Sequence, residues 1–483
     1  MQRAWSRKNL WENAPPWVRS AVGAVARHVP LAWLLGARFR AARRFVRAAQ
    51  HWSADEAQAW QYARLCALLT AARERSRFYR ERFRDVGFEP GDFKHLDDLR
   101  RLPMIDKHTL RARAEEMCVR SPSSTGVDYV STGGTSGVPL QFYIDAGRSA
   151  VEYAYLTAGW ERVGFRLGMP TAVFRSRVVE PDCSGLRHVR DPLTRQHFYS
   201  NFHMSDDNVR RYLAHVATLG PCFIHCYPSS AAALARCIER LGLTALRNVR
   251  GLLAGSENVY PEERARIEAV FGVRYCSWYG HSEKLVLGAE CEHSADYHLW
   301  PTYGYCELID VRGNPVTQPG KRGEIVGTGF MNRVMPFIRY RTGDFATLVA
   351  ERCDACGRAH RMLRDVRGHR IQEVLIAADG TELSWVALNM HDDTFDHVRQ
   401  FQFYQDAPGV AVLRIVPAAG FGDEHRERIL RVLDSKCDGR MTITIEMWNE
   451  IPLSPRGKAI YVDQRIDTSR RIPEDEPELS AAL

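Results

Sequence analysis

The sequence predicts an α/β (α+β) protein with a large N-terminal domain and a small C-terminal domain. Its 483 residues exceed the roughly 100–200 residues of one domain. Between residues 146 and 300, helical segments alternate with short apolar segments typical of strands, and residues 303–349 are mainly strand-like. A smaller unit with strands and one clear helix, GDEHRERILRVLDSK, follows. We therefore predict a basic helical segment, a large domain, a small domain and a loose tail, at 1–52, 53–366, 367–465 and 466–483.

Positive charge is concentrated at the N-terminus. Residues 1–50 hold ten Lys or Arg and one acidic residue, whereas the whole chain has a net charge of +8. Trp5, Trp11, Trp17 and Trp33 lie among these charges. Such a segment is typical either of an amphipathic helical hairpin packed on its own domain or of contact with an anionic membrane surface or an acidic partner. The near-neutral remainder argues against a nucleic-acid-binding protein.

The apolar segments and the cysteines predict the compartment. No apolar run reaches the roughly 18–20 residues of a spanning helix, and VPLAWLLGA (29–37) is too short for an ordinary signal peptide. Twelve Cys without an export signal predict reduced thiols rather than a disulfide framework. We expect a cytoplasmic protein, with peripheral membrane contact through the basic segment as an alternative.

The elements before residue 146 lead to a Gly-rich loop. Residues 53–84 predict one long helix with Ser53 as its N-cap. LDDLRRLPMIDKHTLRARAEEM predicts a helix, a turn and a second helix. VDYVST predicts a strand, and the alternation of PLQFYID predicts another. The loop STGGTSGVPL (131–140) is therefore expected to join two strands.

This Gly-rich loop predicts phosphate binding of an unusual kind. It lacks the Lys of G-x-x-x-x-G-K-[ST], and no helix opens after it, so it does not match the P-loop nucleotide hydrolases. Its hydroxyls and close backbone N–H groups can hold phosphate oxygens by hydrogen bonds. The residues expected to do so are Ser131, Thr132, Gly133, Gly134, Thr135, Ser136 and Gly137.

Further segments follow this loop in a fixed order. They are GSE (255–257), WYGHSE (278–283), YRTGD (340–344), a G-x-R-x-x-E stretch (368–373) and PLSPRGK (452–458). Together they resemble the adenylate-forming superfamily, most closely the phenylacetate–CoA ligase family and its branch of capsular-polysaccharide (CapK-like) proteins. The resemblance covers roughly residues 50–465. It implies a large ATP-binding domain and a small mobile C-terminal domain.

The resemblance implies an ATP-dependent ligase. A carboxylate attacks the α-phosphorus of ATP to give an acyl-adenylate and pyrophosphate, and an acceptor nucleophile then displaces AMP. The acceptor is either the CoA thiol or an amine or hydroxyl of a sugar or metabolite. A catalytically degenerate nucleotide-binding scaffold of polysaccharide or secondary-metabolite biosynthesis is the alternative. The sequence identifies neither the acid nor the oligomeric state.

The resemblance also implies roles for individual residues. Lys458 would stabilise the charge that develops during adenylation, with Thr135 as a further catalytic residue, and Glu283 would associate with Mg²⁺. Asp344 would accept the ribose hydroxyls. Segments flanking the nucleotide would supply Ser256, Glu257, Tyr279, Gly280, His281 and Ser282, and the acyl pocket would be bordered by Tyr227 and Ser229. His369 and Gln372 depart from the usual Arg and acid of the hinge, so the ribose contact there would pass to Arg367 or Arg370.

A Cys and His pattern predicts a structural zinc site. CDAC (353–356) has the spacing of half a zinc site, and CEHSADYHL (291–299) supplies further ligand types upstream. We expect Zn²⁺ to be bound by Cys291, His298, Cys353 and Cys356, with His293 as an alternative ligand. Four protein ligands leave no open position, which is typical of a structural site. Reduced buried cysteines without metal are the other interpretation.

Overall fold

A computed structural model gives the architecture of the chain. It describes residues 28–131, 140–175, 177–244, 246–368, 374–384, 397–452 and 460–466, with isolated positions in 15–26 and 388–395. In the described residues, no helix is both long and apolar enough to cross a membrane. All twelve cysteines are free thiols.

Five α-helices with described bounds precede the first strand. They are α1 (Leu31–Leu34), α2 (Gly36–Ala49), α3 (Ala54–Arg75), α4 (Arg77–Asp85) and α5 (Lys107–Met117). Ser53 caps α3, because its hydroxyl accepts from the Glu56 N–H at 3.2 Å while the Glu56 carboxylate accepts from the Ser53 N–H at 2.8 Å.

The single helix predicted over 53–84 is wrong at one residue. Ser76 is extended, with φ −101° and ψ 123°, and it separates α3 from α4. Its hydroxyl donates to the Glu116 carbonyl at 2.7 Å and accepts from the Tyr79 N–H at 3.3 Å. The break therefore depends on a long-range contact and a new N-cap, neither of which alters the apolar periodicity of the sequence. Similarly, LDDLRR (96–101) forms a 3₁₀ rather than an α-helix.

The described part of the basic segment packs on the protein itself. Phe39 and Val46 of α2 are fully buried. Arg43 and Arg47 form ion pairs of 2.7 and 3.1 Å with Glu161, at the end of α6 (Arg148–Glu161). Trp33, by contrast, is 63% exposed. For these residues, the interpretation as a helical element with a solvated basic face describes the geometry.

A two-stranded ribbon flanks the Gly-rich loop. Strands β1 (Val127–Ser131) and β2 (Gln141–Asp145) pair antiparallel, with Ser131 opposite Gln141. The prediction that the loop joins two strands is confirmed. The loop residues 132–139 lie outside the described residues.

A twelve-stranded mixed sheet forms the body of the molecule. Its spatial order is β11-β12-β13-β14-β10-β9-β8-β7-β6-β3-β5-β4. The strands are β3 (Thr171–Phe174), β4 (His188–Asp191), β5 (Gln196–Tyr199), β6 (Cys222–Cys226), β7 (Val249–Gly255), β8 (Tyr275–Gly280), β9 (Leu287–Glu290), β10 (Tyr297–Leu299), β11 (Gly304–Ile309), β12 (Arg322–Gly329), β13 (Tyr340–Ala350) and β14 (Met362–Arg367). Strands β5, β3, β6, β7 and β8 run parallel, and the other pairings are antiparallel.

Helices cover the parallel part of this sheet. They are α7 (Asp206–Ala217), α8 (Pro228–Arg240) and α9 (Pro261–Phe271). One core packs these helices against β3, β6 and β7, and a second packs α3 to α5 against β11 to β14. The central strands β3, β6 and β7 are nearly continuous in burial, as expected for strands covered on both faces. The α/β fold class predicted from the alternating segments is confirmed.

The C-terminal unit has its own sheet and core. Strands β15 (Val374–Ile376) and β16 (Glu382–Ser384) form a hairpin. A four-stranded sheet has the order β19-β18-β17-β20, with β17 (Val398–Ala407), β18 (Val410–Pro417), β19 (Thr442–Met447) and β20 (Val462–Gln464). Helix α10 (Asp423–Cys437) buries Ile429, Leu433 and Cys437 in this core. The boundary at 366/367 stays a prediction; it falls at the end of β14.

Candidate active site at the carboxyl ends of the parallel strands

Four adjacent parallel strands end at the same edge of the large sheet. The register pairs Phe174 of β3 with Cys226 of β6, Cys226 with Ala254 of β7, and Gly255 of β7 with Trp278 of β8. In open α/β sheets, ligands bind in the crevice outside such carboxyl ends. The residues that follow these ends include Arg175, Tyr227, Ser256 and His281.

The expected acyl and nucleotide segments meet at this edge. The Glu257 carboxylate accepts from the Ser229 N–H at 2.8 Å and from the Ser229 hydroxyl at 3.0 Å. Tyr227, which is buried, precedes the first turn of α8, where Pro228 needs no hydrogen-bond partner for its nitrogen. The turn after β6 is thereby fixed to the turn after β7.

Ser256 has a strained backbone within this arrangement. Its φ is +75°, a conformation that side chains other than glycine rarely adopt. Its hydroxyl accepts from Arg175 Nη2 at 2.7 Å. The preceding residue must be glycine, because a Cβ on Gly255 would lie 2.5 Å from the Trp278 ring. The backbone therefore passes close to β8 here, and Ser256 turns toward Arg175.

Tyr279 of β8 and Asp344 of β13 lie close together, although their strands are not neighbours in the sheet. The Tyr279 hydroxyl donates to Asp344 Oδ2 at 2.8 Å. Burial and the neighbouring Asp344 carboxylate raise the pKa of Tyr279 well above its ordinary value, so it remains a donor. The Asp344 N–H donates to the Thr342 hydroxyl at 3.0 Å. These contacts fix a half-buried carboxylate beside an aromatic ring.

Glu283 is a buried carboxylate with little compensation. It is 7% exposed, and Tyr340 donates to it only at a long 3.5 Å. A buried anion is costly unless it is paired or bound to a cation. Since Mg²⁺ takes one or two carboxylates together with phosphate oxygens, Glu283 fits the magnesium site that the resemblance implies.

His281 offers unpaired polar atoms in the same place. Its ring nitrogens are enclosed, and neither has a hydrogen-bond partner among the described residues. Burial lowers its pKa, so the imidazole is neutral near pH 7. Position 280 has no room for a side chain, because a Cβ on Gly280 would lie 2.8 Å from Leu287. Ser282 is exposed.

Arg367 lies at the end of β14, near Asp344. It pairs across the sheet with Phe345, the neighbour of Asp344, and its guanidinium lies 5.1 Å above the Tyr260 ring. The Gly368 N–H donates to Asn258 Oδ1 at 3.1 Å. The structure thus brings the predicted residues of the segments after β6, β7, β8 and β14 together with Asp344. Thr132, Gly133, Gly134, Thr135, Ser136, Gly137, His369, Arg370, Gln372 and Lys458 lie outside the described residues, as does the side chain of Ser131.

The sequence reasoning missed Arg175 and His225. Arg175 Nη1 lies 2.9 Å from His225 Nε2, and the guanidinium lies 4.5 Å above the Tyr227 ring. Burial, followed by the Arg175 charge, lowers the pKa of His225 well below its ordinary value, so the imidazole is neutral. The only sequence feature that pointed to Arg175 was its position at the end of a strand, in FRSR (174–177). That β3 lies next to β6 can be learned only from the sheet order.

The four expected zinc ligands converge elsewhere in the large sheet. The ligand atoms of Cys291, His298, Cys353 and Cys356 all lie within 4.8 Å of one another. Cys291 Sγ and Cys353 Sγ are 3.9 Å apart, as are Cys356 Sγ and His298 Nε2. Two sulfurs bound at about 2.3 Å to one tetrahedral zinc ion lie about 3.8 Å apart, much farther than in a disulfide. His293 is exposed and is not part of this group.

The surroundings favour a neutral imidazole at His298 and a thiolate at Cys356, whereas burial raises the pKa of the Cys291 thiol to about 11. Burial, together with Arg162 and Arg358, lowers the pKa of His298 to about 3. Burial would raise the pKa of the Cys356 thiol, but hydrogen bonds from Arg358 and Cys353 lower it. Both effects favour the protonation states that bind metal. The residues therefore fit a structural zinc ion.

Comparisons with known proteins show what the chain is similar to. Residues 375–465 match the family described as the CapK C-terminal domain. Phenylacetate–coenzyme A ligase of Thermus thermophilus is 27% identical over 327 residues, which are 67% of this chain and 72% of that enzyme. Protein CapK of Staphylococcus aureus is 22% identical over 257 residues, 53% of this chain and 55% of that protein.

A solved structure shares the fold. 2-Hydroxyisobutyryl-CoA ligase, in complex with 2-HIB-AMP and CoA, superposes with a TM-score of 0.54 at 19% identity, over 86% of this chain and 91% of that chain. At this identity the similarity concerns the fold alone. The sequence relatives show that this chain is similar to the phenylacetate–coenzyme A ligases, and its residues 375–465 match the CapK C-terminal domain.

Proposed function

We propose that this protein is an AMP-forming ligase that activates a carboxylic acid as an acyl-adenylate and transfers the acyl group to an acceptor. The observation that carries the proposal is that residues expected at the site form two hydrogen-bonded pairs, Ser229 with Glu257 and Tyr279 with Asp344, at 2.8 to 3.0 Å. The names of its relatives, phenylacetate–coenzyme A ligases, support the same chemistry.

The first half-reaction joins the acid to AMP. A carboxylate oxygen forms a bond to the α-phosphorus of ATP, and the bond to the β-phosphate oxygen breaks and releases pyrophosphate. Asp344 accepts the ribose hydroxyls, and Tyr279 holds that carboxylate in place. When bound at Glu283, Mg²⁺ would neutralise phosphate charge. The loop 131–137 would hold the outer phosphates, and Lys458 would stabilise the charge that develops at the α-phosphate.

The second half-reaction transfers the acyl group. The acceptor attacks the acyl carbon, and the bond to the phosphate oxygen breaks to release AMP. The CoA thiol is the acceptor that the relatives' names support. An amine or hydroxyl of a sugar or metabolite is the alternative, because the C-terminal unit is of the CapK type.

Arg175 is expected to influence which carboxylic acid the enzyme prefers. Its guanidinium lies against Tyr227 and bonds Ser256, so a cation borders the expected acyl pocket. We therefore expect acids with a second polar or anionic group to be preferred over purely apolar ones.

Carboxylate-dependent exchange between ATP and labelled pyrophosphate tests the activation step. The panel should pair each apolar acid with a hydroxy- or dicarboxylic acid of the same length. We expect exchange with at least one acid, and no exchange with any acid would favour the nucleotide-binding scaffold. Release of AMP with CoA, amines or sugars then identifies the acceptor.

Lys458 provides the sharpest variant for the mechanism. Lys458→Ala is expected to lower exchange by about 10²–10³, the usual loss when one charge-stabilising group is removed. Transfer from a supplied acyl-adenylate should persist, because only adenylation uses this Lys. Lys321→Ala, a change at an exposed lysine, is the control. An equal loss in both half-reactions would contradict a role of Lys458 in adenylation alone.

A further inference from the structure

We propose that His188, His197 and His215 form a second metal site, which binds Zn²⁺ or another borderline divalent transition metal through three imidazoles. The site is separate from the Cys and His group and from the nucleotide site. The three side chains come from β4, β5 and α7, at the edge of the large sheet.

The geometry is that of converging ligands. One ring nitrogen of each His lies within 4.8 Å of the other two. His188 Nε2 and His197 Nδ1 are 3.0 Å apart, and the His188 and His215 ring centroids are 4.2 Å apart. Imidazole nitrogens bound at 2.0–2.1 Å to one tetrahedral ion lie about 3.3 Å apart. A small movement of the rings would therefore admit an ion.

Strand register produces this convergence. In the β4–β5 hairpin, His188 pairs with Tyr199 and His197 pairs with Arg190, so the two histidines are diagonal neighbours on one face. Helix α7 brings His215 over the same face. In the structure, His188 and His197 share one hydrogen bond, and His215 forms another with Tyr199. Metal binding would replace the bond between His188 and His197 with metal–nitrogen bonds to both rings.

Tyr199 orients one of the ligands. Its hydroxyl lies 2.7 Å from His215 Nδ1, which leaves Nε2 for the metal. Metal-binding histidines commonly use their second ring nitrogen in this way. Tyr199 is fully buried against Phe174, with ring centroids 4.8 Å apart, so its hydroxyl is held in place. The nearby charges are one of each sign, Asp182 and Arg190.

Three protein ligands define the chemistry of the site. Three imidazoles suit Zn²⁺, Cu²⁺ and Ni²⁺ rather than Mg²⁺ or Ca²⁺. All three rings are half-buried, so a fourth position would be open to water or a small anion.

Cobalt titration of the full chain, without a histidine tag, tests the proposal. Metal-free protein is titrated with Co²⁺, and bound metal is counted by equilibrium dialysis with elemental analysis. Thiolate-bound cobalt gives a charge-transfer band that imidazole-bound cobalt lacks, so the two sites are read separately. We expect the protein to bind one equivalent of Co²⁺ that does not give the thiolate charge-transfer band. His197→Ala should lose that equivalent while the thiolate band persists.

The control and further variants keep the test decisive. His95→Ala, a change at an exposed histidine, should bind like the wild type. His215→Gln should behave like His197→Ala, and melting curves identify any variant that fails to fold. Tyr199→Phe should lower the affinity of the three-histidine site for Co²⁺ about 10–100-fold, the usual effect of losing a hydrogen bond to a metal ligand. If His197→Ala and His215→Gln fold normally and bind as much Co²⁺ as the wild type, the site does not exist.

Discussion

Asp344 shows how a residue's role depends on a partner far away in sequence. YRTGD marked it as a ribose-binding residue by resemblance, and the fold adds its hydrogen bond from Tyr279, 65 residues upstream. The sequence could name both residues separately. Their contact requires β13 and β8 to be placed in one sheet, which local sequence does not specify.

Asp344→Ala is expected to weaken ATP binding about tenfold to hundredfold. The removed carboxylate accepts hydrogen bonds from the ribose, and bonds of this charge-assisted kind are worth about 1.5–3 kcal/mol. Isothermal titration with ATP measures the loss. Tyr279→Phe removes only the supporting hydroxyl and should weaken binding less. Equal affinities of Asp344→Ala and the wild type would show that the ribose binds elsewhere.

Arg175→Met is expected to reduce the use of the acid substrate more than the binding of the nucleotide. Because Arg175 lies against the Tyr227 ring at the expected acyl pocket, its loss should lower kcat/KM for a polar acid about tenfold to hundredfold and change the KM for ATP much less. Pyrophosphate exchange with varied acid and ATP measures both quantities. Arg177→Met, two residues away and above Phe198, is the matched control. A parallel rise in the KM for ATP would indicate a structural role instead.

Among the elements, the antiparallel strands assemble the Cys and His group. Cys291 follows β9, His298 lies within β10, and the CDAC turn joins β13 to β14. His298 pairs with Ala289 of β9 and Met362 of β14, so register selects it over His293. Cysteine spacing predicted the group; the choice between the two histidines needed the strand pairing.

Cys356→Ser is expected to lose zinc and to lower the melting temperature, because structural zinc contributes directly to folding. Elemental analysis of protein purified without chelator should give about one zinc per chain for this site in the wild type, and ATP affinity should not change. Cys183→Ser, at an exposed free thiol, is the control. A variant with normal zinc content and melting behaviour would refute the site.

At the scale of the whole molecule, the C-terminal unit contacts the large sheet through charged groups. Arg187 Nη2 lies 2.8 and 2.9 Å from the two carboxylate oxygens of Asp438, the residue that follows α10. His203, which is 1% exposed, lies 3.6 Å from the same carboxylate. Arg440 donates to the Phe202 carbonyl. These contacts place a buried imidazole between the two units.

His203 is expected to make stability rise with pH between about 4 and 6.5. Burial, followed by the Arg187 charge, lowers its pKa from 6.5 to about 4. In this window the unfolded chain binds more protons than the folded protein, so stability is lost as the pH falls. His203→Asn should reduce this dependence by about 2 kcal/mol. Calorimetry at pH 4.5 and 7.5, with exposed His95→Asn as control, measures the difference; an identical pH dependence would contradict it.

The sequence by itself determined the α/β class, the strands that flank the Gly-rich loop and the segments predicted to bind the nucleotide, because periodicity and short chemical patterns are local. The tertiary structure decided where α3 ends, because Ser76 bonds the distant Glu116 carbonyl. It also placed Arg175 beside Tyr227 and gathered His188, His197 and His215. These outcomes depend on sheet order and register, which are set by packing between segments far apart in the chain and leave no mark on the residues nearby.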